Sequence, residues 1–163
     1  MGGTGAADAR ARSIMIAPMA KHTPDHHDAE LVLKVYDLRR EPVLRESRRA
    51  ILREFWPKAF GDLEAVLKGD HPLNAPYRQV ASYWEMVYSF VRHGIVHPEL
   101  WLENNGEGLY LFAKVDPFLA QLRQASGPGA FRNAEWVARE CPEGRTAYAR
   151  VQGRVAQLAA ARG

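Results

Sequence analysis

Arg45, Arg49 and Arg53 lie four residues apart, with Arg48 beside them, a spacing that lines side chains along one stripe of a helix. Like charges so placed repel by about 0.2–0.5 kcal/mol per pair in an isolated helix. An acidic surface opposite relieves that repulsion, and the planar guanidinium fork pairs bidentately with carboxylate or phosphate. The stripe therefore points to an acidic partner surface. Its ordinary alternative is pairing with Glu41, Glu46 and neighbouring helices, or with water, because exposed ion pairs contribute little.

A second constellation repeats every seven residues: Arg78, Glu85 and Arg92, with Ser82 and Ser89 between them. A carboxylate flanked by arginines on an otherwise apolar helix suits a small polar pocket. The adjacent cations are expected to hold Glu85 ionised, which fits anchoring better than general-acid chemistry. A solvated stripe or an ion-pair ladder accounts for the same pattern, since a bundle helix needs one polar side.

Histidine spacing is the third candidate. His93 and His97 are four apart, which on a continuous helix presents both to one metal. Gly94 and Pro98 place a helix end between them, and the HExxH pattern is missing because residue 94 is glycine. His22, His26 and His27, with Asp25 and Asp28, form a denser cluster at the entrance of the first helix. Flexible clusters of this kind catch divalent ions adventitiously, so neither group is assigned a metal, and no cofactor is implied. Cys141 stands before Pro142 with nothing beside it to activate a thiolate, and reads as a buried, inert thiol. GxSxG, Walker and GxGxxG patterns are absent, and Gly127-Pro128-Gly129 is a turn without a phosphate-loop lysine. No residue is assigned a catalytic role.

These residues sit on a sequence that is helical almost throughout. Strand signals are nearly absent, whereas apolar residues recur at helical spacing. A first helix should start at Thr23-Pro24-Asp25, with Thr23 as cap, and bury Leu31, Val32, Val35 and Leu38 as far as Arg40. A second restarts after Glu41-Pro42 and carries Leu44, Ser47, Ile51 and Phe55 on one stripe until Pro57. A short third covers about 59–68. The fourth, opened by Pro76, repeats Tyr77, Val80, Trp84, Val87, Tyr88 and Val91, widened by Tyr83, Met86 and Phe90; a helix so apolar belongs in the middle of a bundle. Short helices over about 99–103 and 130–140 flank a sixth, bearing Leu111, Phe112, Val115, Leu119 and Leu122, that Pro117 should kink or break. A last helix, about 143–161, presents Tyr148, Val151, Val155 and Leu158. Trp84 reads as core. Trp56, Trp101 and Trp136 read as caps on the core, and would mark an interface if exposed beside the arginines.

The expected architecture is an all-α, single-domain bundle of seven to eight helices over residues 23–163, around a central apolar helix. A flexible Gly/Ala/Arg tail, residues 1–22, precedes it. The length of 163 residues and the 47% hydrophobic, 25% charged composition suit one ordinary globular domain. One cysteine excludes a disulfide framework and a cysteine-cluster zinc site. It suits a reducing compartment, and a cytoplasmic location is expected. The apolar stretch Ile14–Ala20 is far shorter than the roughly 18 residues of a membrane span, and Pro18 interrupts it. The net charge of +3 is local: residues 39–53 hold six arginines against Glu41 and Glu46. Only five of the 22 cations are lysine, unlike the spread of lysine and arginine over a nucleic-acid-binding face.

The helix pair DAELVLKVYDLRREPVLRESRRAILREFWP resembles the start of a bacterial family of uncharacterised all-helical proteins. YWEMVYSFVRHGIVHPELWLE, PFLAQLRQ and FRNAEWVARE are similar in kind. The likeness covers about residues 28–141. It implies a helical fold with no established activity and no functional residues to carry over. Members of such families often have an N-terminal membrane helix, and none is expected from these residues.

Three functions fit these observations. The first is a non-catalytic protein-interaction module, binding an acidic partner or a second copy of itself through Arg45, Arg48, Arg49 and Arg53. The second is a small-molecule or metal-dependent enzyme built around Glu85 with His93 or His97. The third is nucleic-acid binding by the arginine helix, although not as a helix-turn-helix, because the turn before Pro42 is too abrupt and the arginines run along the helix.

Overall fold

Local capping chemistry sets where each helix of the computed structural model begins, over the residues it describes, Lys21 and 23–162. Among these residues there are nine α-helices and no strand. They are α1 (His26–Arg40), α2 (Pro42–Glu54), α3 (Phe60–Leu67), α4 (Asn74–Arg92), α5 (Pro98–Asn104), α6 (Glu107–Val115), α7 (Leu119–Ser126), α8 (Arg132–Arg139) and α9 (Pro142–Ala160). The expectation of a flexible tail over 1–22 falls, Lys21 apart, outside the described residues.

Asp25, not Thr23, caps α1. Its Oδ1 accepts the backbone N–H groups of His27 and Asp28 at 2.9 and 3.2 Å, while Asp28 Oδ2 accepts the N–H of Asp25 at 2.8 Å. This reciprocal box satisfies donors that the first turn leaves orphaned. Asp28 is buried and also accepts the His97 N–H at 3.1 Å, which ties α1 to the start of α5. Beyond Asp28 and Val35, α1 is not buried, and Leu38, expected inside, is half exposed. Glu41 alone separates α1 from α2, and its carboxylate caps α2 through Val43 and Leu44.

The central element is α4, as its pattern requires. It begins two residues before Pro76, where Asn74 Nδ2 donates to the Val66 carbonyl at 2.9 Å. Tyr77, Val80, Tyr83, Trp84, Val87, Tyr88 and Val91 are buried along it, between α2 and α8 and against α3 and α6. Its buried hydroxyls find carbonyls: Tyr83 donates to Val35 at 2.6 Å and Tyr88 to Asn105 at 2.9 Å. At Gly108 a Cβ would lie 2.6–2.8 Å from Tyr88 and Trp84, so glycine is what lets α6 rest on α4.

Pro117 breaks the sixth predicted helix outright. A 3-10 turn, Asp116–Phe118, separates α6 from α7, and this raises the helix count from eight to nine. Arg139 and Tyr148 donate to the Asp116 carboxylate at 2.6 and 2.7 Å, fixing the turn to α8 and α9. Phe131, before α8, has a φ of 52°, an outlier for a bulky residue. Its ring is held in the core beside Tyr77 and Phe112. α9 packs on α5, α6 and α8, with Tyr148 and Val155 buried and Leu158, expected inside, partly exposed.

Candidate functional site

The arginine stripe divides in the folded chain. Arg48 leaves it: its Nε and Nη2 fork onto both oxygens of Glu107 at 2.7 and 2.5 Å, and its Nη1 donates to the Arg39 carbonyl. That bidentate pair, with both side chains about four-fifths buried, raises the Arg48 pKa further above its ordinary value. Arg48 therefore fastens α2 to α6. Arg45, Arg49 and Arg53 are exposed. Arg49 pairs with Glu46 at 2.8 Å, and among the described residues Arg45 and Arg53 make no ion pair. Leu33, Tyr36, Leu38 and Val43, four of the seven large apolar side chains exposed among the described residues, lie on the same pair of helices. The guanidinium groups of Arg39 and Arg40 lie 5.4 and 5.6 Å from the Tyr36 ring centre.

Glu85 has become a helix cap. Its two oxygens accept the N–H groups of Asn133 and Ala134 at 3.0 and 2.8 Å, the orphan donors of the first turn of α8. Asn133 Nδ2 returns a bond to the Glu85 carbonyl at 3.0 Å, and Arg92 donates to Asn133 Oδ1 at 3.1 Å. Phe131 and Arg132 supply no capping side chain there, so the cap comes from α4. Burial outweighs these N–H bonds and the nearby Arg92 and Arg123, and pushes the carboxyl above its ordinary range. This reverses the expectation that adjacent cations depress it. Arg78, Ser82 and Glu85 do line a cleft of about 630 Å³ against Tyr77 and Phe131. The histidines are not part of it. His93, eight residues further along α4, stands about 12 Å up the axis and is exposed, and His97 serves as the N-cap of α5.

In the entrance cluster the described carboxylates already have partners. Asp25 and Asp28 are occupied by their box and by Lys21 Nζ, at 2.8 and 3.0 Å. Among the described residues no three His, Cys, Asp or Glu side chains are grouped to hold an ion; His22 lies outside them. Cys141 is buried, and burial pushes its thiol up to about 11, far from a reactive thiolate.

The residue that sequence reasoning passed over is Lys114. It sits on α6 in the run LYLFAKV and is only 4% exposed. Its Nζ donates to the Ile51 and Leu52 carbonyls at 3.3 and 3.4 Å and lies 3.8 Å from the Trp56 ring centre. No carboxylate pairs with it among the described residues. Burial, together with the charge of Arg162, brings its pKa down to about 7. It borders a cleft of about 540 Å³ between the Trp56–Lys58 segment, the Asp116–Phe118 turn and α9. The only sequence signal was a lone lysine inside an apolar run.

The model of a domain of unknown function, DUF4760, matches residues 24–141 of the chain. The chain belongs to the DUF4760 family. No curated protein and no solved structure matches it. The DUF4760 segment spans α1 to α8 and contributes Arg48, Glu107, Trp56 and Lys114, while α9, beyond it, supplies Val155, Ala156 and Ala159 to the wall of the Lys114 cleft. No helix among the described residues is long and apolar enough to cross a membrane.

Proposed function

We propose that this DUF4760 chain is a helical protein-interaction module whose α1–α2 pair docks on an acidic, partly apolar protein surface, without catalysis. The observation that carries this reading is the coincidence, on those two helices, of exposed Arg45, Arg49 and Arg53 with the exposed Leu33, Tyr36, Leu38 and Val43. Arginine and aromatic side chains are the ones enriched where binding energy concentrates. Burial of the apolar groups supplies affinity, and the arginines supply orientation and rate of encounter. A cytoplasmic, reducing setting suits the reading, since the single cysteine is an unpaired buried thiol.

The test is affinity capture from nuclease-treated lysate, comparing the wild type with Arg45→Glu/Arg49→Glu/Arg53→Glu by quantitative mass spectrometry, followed by direct binding of the purified partner. The expected result is a partner lost in the variant while the helical circular-dichroism signal is unchanged. Identical captures from both proteins overturn the reading.

A further inference from the structure

We propose that the cleft beside Trp56 binds an apolar molecule carrying a single anionic head, which Lys114 and Arg162 receive. This cleft shares no residue with the exposed arginines of α2, and its charge is one-sided. Lys114 Nζ and the Arg162 guanidinium carbon lie 3.8 and 4.5 Å from the centre of the same indole ring. Lys58 adds a third cation to the cleft, and among the described residues that line it none is acidic. The two carboxylates of α6 and the turn after it are already engaged, Glu107 by Arg48 and Asp116 by Arg139 and Tyr148. Two positive charges, Lys114 and Arg162, thus sit against one ring with no ion pair of their own among the described residues, and Lys114, at 4% exposure, is largely cut off from water.

An ammonium group has three donors, and Lys114 meets only two carbonyls, both at long distance. The buried Trp56 Nε1 has no hydrogen-bond partner among the described residues. Unsatisfied donors and uncompensated cations are what an anionic head relieves, since buried charge is costly unless paired. The rest of the surface is suited to the other end of such a molecule. Phe118 and Val155 join Trp56 in a mostly apolar wall, and about 540 Å³ falls within the 300–1,000 Å³ typical of small-molecule sites.

Octanoate and 1-octanol, equal in chain length and different in head charge, are the probes. Calorimetry on the full chain at pH 7.5 should find octanoate binding at least tenfold tighter than 1-octanol. Repeating it in buffers of different ionisation enthalpy should show proton uptake with octanoate, because a countercharge returns the proton to Lys114. Lys114→Met should remove most of the octanoate preference, leaving the several-fold share of Arg162, and abolish the proton uptake. Arg162→Ala, at an exposed helix end, should weaken octanoate several-fold whether or not the Lys114 variant folds. Ala159→Trp, filling the cleft from an exposed position on α9, should eliminate both ligands. Equal binding of the two probes, binding of neither, or an acid preference that survives in both cation variants overturns the proposal.

Discussion

Arg48 and Lys114 are cations withdrawn into one seam between α2 and α6, bordering the same small void, and their surroundings differ by a carboxylate. Arg48 has Glu107 in a two-pronged grip, and its proton is held more tightly than usual. Lys114, seven residues after Glu107 and about 10 Å along α6, has carbonyl oxygens and an aromatic face, and holds its proton less tightly than usual. The first arrangement is complete, and its charge serves to join helices. The second leaves a charge met, among the described residues, by the carbonyl end of α2, where a cation is favoured by the helix dipole, and by the faces of Trp56 and Tyr110, with no carboxylate. Burial alone therefore does not decide how tightly a cation holds its proton; the presence of a carboxylate partner does.

The strongest way to break the comparison is to take Glu107 away. Glu107→Ala leaves the Arg48 guanidinium buried and unpaired, and chemical denaturation should register a loss of about 3 kcal/mol. Replacing both partners by Met and Leu should recover most of it, and a negligible cost in the single variant would put Arg48 on the same footing as Lys114. Next comes pH. Lys114 has a folded pKa of about 7 against an ordinary value near 10.4, so above pH 7 the unfolded chain binds the extra proton. Stability should therefore rise between pH 7 and 9, by up to about 1.4 kcal/mol per pH unit. Lys114→Met should flatten that slope, and an unchanged slope would detach it from Lys114.

Glu85 extends the logic to an acid. With its pKa raised by burial, its contribution to stability is fully present below the ordinary carboxylate range and declines as pH rises through the folded value. Glu85→Gln keeps one acceptor on α8 and removes the buried charge. It should stay within about 1 kcal/mol of wild type, and gain relative to it in melts taken from pH 4 to 6. A gain in the opposite direction would mean that the N–H bonds dominate. The smallest effects belong to the exposed stripe: Arg45→Ala and Arg53→Ala should each change stability by no more than about 0.5 kcal/mol. A larger loss would reveal a structural role like that of Arg48.

Helical periodicity made most of the fold legible, because the stripe of α4 and the proline and glycine boundaries are local signals. Pro117 announced its break. Thr23 misled because it and Asp25 are both competent caps, and only the pairing with Asp28 decides between them. The site was legible only in part. Glu85 stood out by type and spacing, but its task depends on α8 packing beside α4, 48 residues later. Arg48 belonged to a visible stripe, yet its partner lies 59 residues away. Lys114 gave almost no sign, since its carbonyls and its indole come from α2 and the segment after it, and a single lysine among apolar residues is ordinarily a stem lying on the surface with its head in water.

The placement of Trp56 also has a spectroscopic consequence. Among the four tryptophans, Trp84 lies 5.7 Å from the guanidinium of Arg39, a charge that stays constant over the accessible pH range. Trp56 lies against an amine that changes charge close to neutrality. Indole emission responds to the electric field across the ring, so the fluorescence of this one residue carries a readout of the Lys114 proton. A chain retaining Trp56 alone would report the occupancy of its own cleft without an added dye.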